Sequence, residues 1–302
     1  MQKVKLQILL LFTLVGFNLS AQEYLDLIKL DIATGTLSQF DTLNIETRLI
    51  ETNADVTVPI VVNERFTILT GLTYEGTQGN FNPLRKTETL TGLTLKLGVN
   101  ITHSEKWSGT YLVLPKLSSD LKVVNEKDAQ FGAVALLKYA ISSHLNYKFG
   151  VYANSELFGP FVVPMFGVYY LSPNDKIEAK ILLPLAADLN YSFQKNMRVG
   201  LNFKGQIRSY NSNTPFQNET DRYITRSTND LYSYFQYAIK NGINFQVGLG
   251  RSLGRSYRAY NEKVGFGLPL VYLNDKRAQL NHDFSDSWLL KLSMFYRIAL
   301  DK

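Results

Sequence analysis

The sequence predicts an antiparallel transmembrane β-barrel of about 14 strands, and three observations carry that reading. Leu93, Leu95, Leu97, Val99 and Ile101 alternate with Thr94, Lys96, Gly98, Asn100 and Thr102. That is the period of a strand with one apolar and one polar face. Segments of this kind follow one another after residue 40, joined in turn by a very short link and a longer polar one. The amino terminus carries a leader-like segment, and no later stretch is apolar enough for a spanning helix. In a soluble protein the apolar faces must meet each other, whereas in an outer membrane they face lipid while the polar faces line a closed interior.

Taken in order, residues 24–33 form a possible first strand. Strands then follow near 43–62, broken by a bulge at Asn53 to Asp55, and near 65–74, 89–102, 107–117, 129–141, 145–154, 161–171 and 177–185. The pattern continues at 189–193, 197–208, 230–239, 243–250, 263–273, 278–283 and 287–300. Short turn-forming links fall at Asn63-Glu64, Ser104 to Lys106, Ser142 to His144, Ser172 to Lys176, Gln194 to Asn196, Lys240 to Gly242 and Asn274 to Arg277. The longer connections are 75–88, 118–128, 155–160, 209–229 and 251–262. Tight turns at one end and long loops at the other are what a transmembrane barrel requires. A soluble Greek-key sandwich has no reason to sort its loops in this way.

The last strand permits a length check. Trp288, Leu290, Leu292, Met294, Tyr296 and Ile298 share one face. Trp288 to Tyr296 is roughly 26 Å along the strand, or about 20 Å along the membrane normal at a ~40° tilt, close to the ~25 Å apolar band. Gly159-Pro160, Pro164 and Pro184 interrupt the middle of the pattern, where proline belongs at bulges or strand starts. The pieces 189–193 and 278–283 are too short to span alone. With both chain ends on one side the count is even, which gives 14, with 12 and 16 also compatible.

Lys3 and Lys5 precede an apolar core from Leu6 to Phe17, and Asn18-Leu19-Ser20-Ala21 leads to Gln22. This is the layout of a cleaved secretory signal peptide over 1–21, leaving 22–302 as the barrel. Without Lys3 and Lys5, 30 basic side chains face 26 acidic ones, and the net charge falls from +6 to +4. So mild a charge does not point to nucleic acid. The absence of cysteine excludes disulfides, a lipidated amino-terminal cysteine and thiolate chemistry. Eighteen Tyr and 18 Phe against two Trp suit strands and membrane interfaces.

The stretch 146–184, NYKFGVYANSELFGPFVVPMFGVYYLSPNDKIEAKILLP, resembles a family of bacterial outer-membrane β-barrels whose domain is of unknown function. The similarity extends to VPIVVNERFTILTGLTYEG at 58–76 and is most specific at Asn154, Glu156, Phe158, Gly159, Pro160 and Pro164. It implies the barrel and the bacterial outer membrane as its compartment, and it brings no substrate, cofactor or functional residue. Such barrels usually end on an aromatic residue read by the barrel-assembly machinery. This chain ends Arg297-Ile298-Ala299-Leu300-Asp301-Lys302, which leaves Phe295 and Tyr296 for that role.

With the apolar face outward, Lys96, Lys138, Lys148, Lys180, Arg198, Lys204, Lys291 and Arg297 point inward, with Glu178 as the clearest acidic counterpart. A basic lumen attracts anions and repels cations, so a passive pore for small, preferentially anionic solutes is the first functional expectation. The alternative is a non-conducting structural or interaction barrel with these charges paired inside it. Arg251, Arg255 and Arg258 in GRSLGRSYR form a candidate contact for phosphates of lipopolysaccharide or another polyanion; a solvated basic loop is the simpler explanation. The loop 209–229, with Arg222 and Arg226, either extends that patch or folds inward as a constriction.

A lipid-modifying enzyme is the third class and needs a nucleophile, a histidine and an orienting group. His103-Ser104 and Ser142-Ser143-His144 fall at short turns, and His282 is followed by Asp283 and Ser285. Turn propensity accounts for these serines, and neighbouring strand residues point to opposite faces. His103 and His144 lack the spaced carboxylates of a metal site. No catalytic residue, cofactor or metal is therefore expected. The Asn154 to Pro164 motif is expected to help close the barrel rim, because glycine permits the turn and Pro160 fixes its exit.

Overall fold

The computed structural model describes residues 24–41, 45–81, 87–213 and 222–299. The proposed signal peptide lies outside them. Fourteen long strands form the wall: β1 (Tyr24–Gly35), β2 (Ile50–Asn63), β3 (Phe66–Gly79), β4 (Glu88–Thr102), β5 (Trp107–Ser119), β6 (Ala129–Ser142) and β7 (Leu145–Glu156). The second half is β8 (Gly159–Leu171), β9 (Ile177–Leu183), β10 (Ala186–Gln194), β11 (Met197–Ser212), β12 (Arg222–Ala238), β13 (Ile243–Ser252) and β14 (Trp288–Ala299). Each is antiparallel to the next, and β14 returns to β1 from Tyr24↔Ala299 to Gly35↔Leu289, so the sheet closes on itself. Among the described residues no helix is long and apolar enough to cross a membrane.

Alternation sets the two faces. On β4 and β14 the residues named above stand outward, most of them exposed, while Thr94, Lys96, Lys291, Ser293 and Phe295 turn inward. Trp107, Tyr139, Tyr170, Tyr191, Tyr237 and Tyr296 form an outward aromatic ring near the tight-turn end, with Trp107 and Tyr139 4.8 Å apart. Tyr74, Phe131 and Trp288 stand outward near the other end. Aromatic rims around an apolar belt are the exterior of a transmembrane barrel. Of the two terminal aromatics considered above, Tyr296 faces outward and Phe295 is buried inward.

Several expected elements are corrected. Residues 24–33 are a full wall strand. β2 runs through Asn53 to Asp55 without interruption, and its register shift falls between Val61 and Asn63. The segment 155–160 is no long loop: Leu157-Phe158 alone joins β7 to β8, and Gly159 adopts φ 133°, which makes so tight a link possible. Residues 189–193 belong to a complete hairpin partner, β10. Segments 263–273 and 278–283 lie within the connection 253–287, where only short ribbons at Ser256–Tyr260, Phe266–Gly267 and Tyr272–Leu273 occur. The loop end therefore carries two tight links, Leu157-Phe158 and Pro184-Leu185, beside its long connections.

The largest departure concerns 209–229. β11 and β12 continue as a hairpin, and the upper half of that hairpin leaves the wall and enters the lumen. Asn211 bridges Ser119 on β5, six strands around the ring. Arg222 reaches Glu88 on β4, and Arg226 reaches Glu51 on β2. Folding inward as a constriction is thus the alternative that the structure adopts. Tyr210 and Ile224 join Phe40, Leu49, Phe81, Leu90, Tyr257, Ala259 and Phe284 in a buried cluster across the loop end.

Leu95→Arg, facing lipid on β4, is expected to cost about 2–4 kcal/mol, and Thr94→Arg, facing the lumen, less than half of that. Urea titration in phospholipid vesicles reads both. Equal losses would contradict the assignment of faces.

Candidate functional site: a capped lumen

The anchor of the inner hairpin is the carboxylate of Glu156, at the top of β7. It accepts hydrogen bonds from the Ser209 amide at 2.7 Å, the Ser209 hydroxyl and Asn154 Nδ2, and pairs with Lys116 at 3.2 Å. Ser209 Oγ in turn accepts the Leu157 amide, while its carbonyl accepts Ser118 Oγ and Gln130 Nε2. Asn211 Nδ2 donates to Asp128, which sits in a capped turn between β5 and β6. The predicted motif thus lies together, with a larger task than rim closure. Asn154 and Glu156 hold the hairpin. Buried Phe158 packs edge-on to Phe161 and Tyr272, and the Phe158 carbonyl accepts the Val264 amide, which fastens connection 253–287 to the rim. Pro160 and Pro164 are exposed on the part of β8 beyond its partner β9, where a missing donor is tolerated.

Most of the predicted lumen cations are inward but paired. Lys96 meets Asp55 at 2.6 Å, Lys180 and Arg198 share Glu178 at 3.4 and 3.5 Å, Lys291 lies 3.8 Å from Asp31, and Arg297 forks onto Asp26. Lys180 and Arg297 also cover the ring of Tyr24. Sequence reading found Glu178 but missed the other acids for definite reasons. Asp26 and Asp31 lie in the segment held only as a possible strand, Asp55 lies at the supposed bulge, and Glu75 falls in what read as a loop. Glu75 receives Gln206 and lies 3.6 Å from Arg208 of the inner hairpin. Lys138 and Lys148 differ: they are direct cross-strand partners on β6 and β7. No ion pair involves either among the described residues.

The three loop arginines do not come together. Arg251 is exposed on the outer face beside the Trp288 ring. Arg255 is buried between Asp230 at 3.1 Å and Glu51 at 3.5 Å, and Arg258 forks onto Asp283. Nearby, Arg277 stacks on Tyr260 and Tyr272, and its hydrogen bonds hold the Asp275 carboxyl below its usual range. At the tight-turn end His103 contacts Tyr111. His144 lies between Ser143 Oγ at 2.9 Å and Asp175 at 3.8 Å, the latter too long for a hydrogen bond. Side chains in that turn are partly to fully exposed.

Beside the hairpin lies a cavity of about 930 Å³. Leu114, Val134, Tyr152 and Val163 line it together with Lys29, Asp31, Lys204, Arg208 and Lys291. A polar lumen was expected, yet the inward faces of β5, β6 and β8 are apolar here, partly because Ile207 and Tyr223 of the hairpin pack against them.

Residues 40–296 match the family described as "Domain of unknown function (DUF6268)". No curated relative matches. Among solved structures, the COG4313 outer membrane channel from Pseudomonas putida F1 is similar at 7% identity and TM-score 0.43, over 94% of this chain and 97% of that one. The Pseudomonas putida toluene transporter TodX is similar at 9% identity and TM-score 0.40, over 93% and 91%. The NanC porin is similar at 8% identity and TM-score 0.35, over 89% and 100%.

Glu156→Gln leaves Lys116 buried without its counter-ion and is expected to destabilise the folded barrel by about 3–5 kcal/mol, with Lys116→Met in the same chain restoring most of it. Urea titration measures both. A loss under about 1 kcal/mol, as for an exposed pair, would contradict the anchoring role.

Proposed function

Since this chain belongs to the DUF6268 family, whose description assigns no activity, we propose from its geometry that it is an outer-membrane channel for small solutes. It favours anions over cations, and its own inner hairpin narrows it. The closed barrel, its apolar belt and aromatic rims fit a bilayer that barrels reach after export. The observation that carries the selectivity is the Lys138–Lys148 pair. Two like charges directly opposite on neighbouring strands destabilise each other, so an anion in the lumen is attracted to the site between them. Low-dielectric walls focus that field along the passage. Apart from Lys204, the other inward charges add little, because Asp26, Asp31, Asp55, Glu75 and Glu178 lie against Arg297, Lys291, Lys96, Arg208 and Lys180.

A second reading is a non-conducting barrel that engages surface lipid or a partner through its loops. The aromatic cluster across the loop end favours it, since Tyr210, Tyr257, Phe81 and Phe284 leave that end packed. The two readings differ in a planar bilayer. Folded protein under a potassium chloride gradient is expected to give small discrete steps with a reversal potential on the anion side, and Lys138→Glu with Lys148→Glu is expected to abolish or reverse that preference. Cation preference in the unaltered protein would overturn the selectivity. Silence from protein shown to be folded would favour the second reading.

A further inference from the structure

The wall is low in one place. β9 has seven residues and β10 nine, against 13 in β8 and 16 in β11. β8 pairs with β9 only from Phe166 to Leu171, so Gly159 to Met165 has no wall neighbour on that side beyond one bridge, Phe161↔Gly267. β11 pairs with β10 only as far as Lys204, and the Gly205 amide closes the seam on the Leu185 carbonyl. Above that point β11 bends into the lumen. Seven strand residues span about 20 Å, or about 15 Å along the normal at a ~40° tilt. That stops short of the ~25 Å apolar band, so the gap opens beside hydrocarbon.

The rim suits that position. Pro164, Pro184 and Phe203 border the gap, and a turn from connection 253–287 hangs over it, closed by reciprocal Leu268 and Val271 backbone hydrogen bonds at 2.8 and 3.3 Å. Leu270 at its tip is 94% exposed and Val271 50%. A Leu-Pro-Leu-Val turn held out in this way is stabilised by lipid and disfavoured by water. The gap leads directly into the 930 Å³ cavity, whose lining mixes apolar side chains with charged ones. Among the charged ones Lys204 is exposed, and no ion pair involves it among the described residues.

We propose that this gap is a lateral window through which a single-chain amphiphile with an anionic head, such as a long-chain carboxylate, passes between the membrane hydrocarbon and the cavity. The Leu268–Val271 turn is its flap. Leu114, Val134 and Val163 take the chain and Lys204 receives the head. This deepens the channel reading and rests on it, naming the route and the solute class. The inner hairpin supplies the reason for a side entrance: the aromatic cluster narrows the loop end, and the strand that would have sealed the wall has become the cap.

The test uses the full protein in nanodiscs. Leu270→Trp, placed in a chain with Trp107→Phe and Trp288→Phe, is expected to be quenched strongly by phosphatidylcholine brominated on its acyl chains. Radiolabelled oleate is expected to bind and acetate not, with Lys204→Glu weakening oleate by at least about tenfold. An unquenched tryptophan in folded protein would overturn the window, and oleate binding indifferent to Lys204→Glu would overturn the head-group assignment. Chloride steps from the same preparation keep the two readings separable. Steps without quenching or oleate binding leave the channel and remove the window. Quenching and Lys204-dependent binding without steps remove the ion channel and leave a lipid-facing amphiphile site.

Discussion

Hydrocarbon offers the backbone no hydrogen-bond partner, and this constraint organises the whole molecule. Fourteen strands meet it by closing into a ring in which the first strand pairs with the last. The departure of the β11–β12 hairpin from the wall breaks the pattern over a short arc. The backbone groups of that hairpin are satisfied inside, against each other and against β5, while the Leu185 carbonyl and the Phe161–Gly267 bridge stop the seam below and beside it. The cap and the low wall are therefore one structural event: chain length used to narrow the lumen is unavailable to complete the sheet.

What keeps the hairpin inside is a network of charges buried on both partners. Glu156 alone satisfies an amide, a hydroxyl, a side-chain amide and an ammonium group. Glu51, Arg226, Arg255 and Asp230 form a second group at the other side of the lumen, with the Tyr257 hydroxyl donating to Glu51. Such networks fix one arrangement because removal of any member strands a desolvated charge. Aromatic packing above them then excludes water. The interior thus reads as a folded core at one end and as a charged cavity at the other.

Much of the wall was legible in the sequence because lipid on one side and a lumen on the other impose strict alternation, while the count of 14 came from placing both chain ends on one side, with 12 and 16 also compatible. The inner hairpin was not legible for the same reason. Ser209 to Ser212 and Arg222 to Arg226 have protein on both faces, so no apolar alternation marks them as strand, and Arg222 and Arg226 read as loop cations. Segments 263–273 and 278–283 misled in the opposite sense, since their apolar residues serve packing and the turn at Leu268–Val271. At the site, the residue types of the Asn154 to Pro164 motif signalled a sharp change of direction. That Glu156 meets Ser209, 53 residues away, required the fold. The inward lysines were found, yet their partners Asp26, Asp31 and Asp55 were hidden by an uncertain first strand and a misplaced bulge.

The central claim is that the top of β11 crosses the lumen to β5. The chain contains no cysteine, so Ser119→Cys with Asn211→Cys gives a clean pair. Bridged strand residues lie about 4.8 Å apart, within the range a disulfide spans. In the membrane-inserted barrel under mild oxidation, this account predicts that both thiols are lost to one intramolecular disulfide. Two thiols that remain free to alkylation in a folded barrel would place the hairpin elsewhere and contradict it.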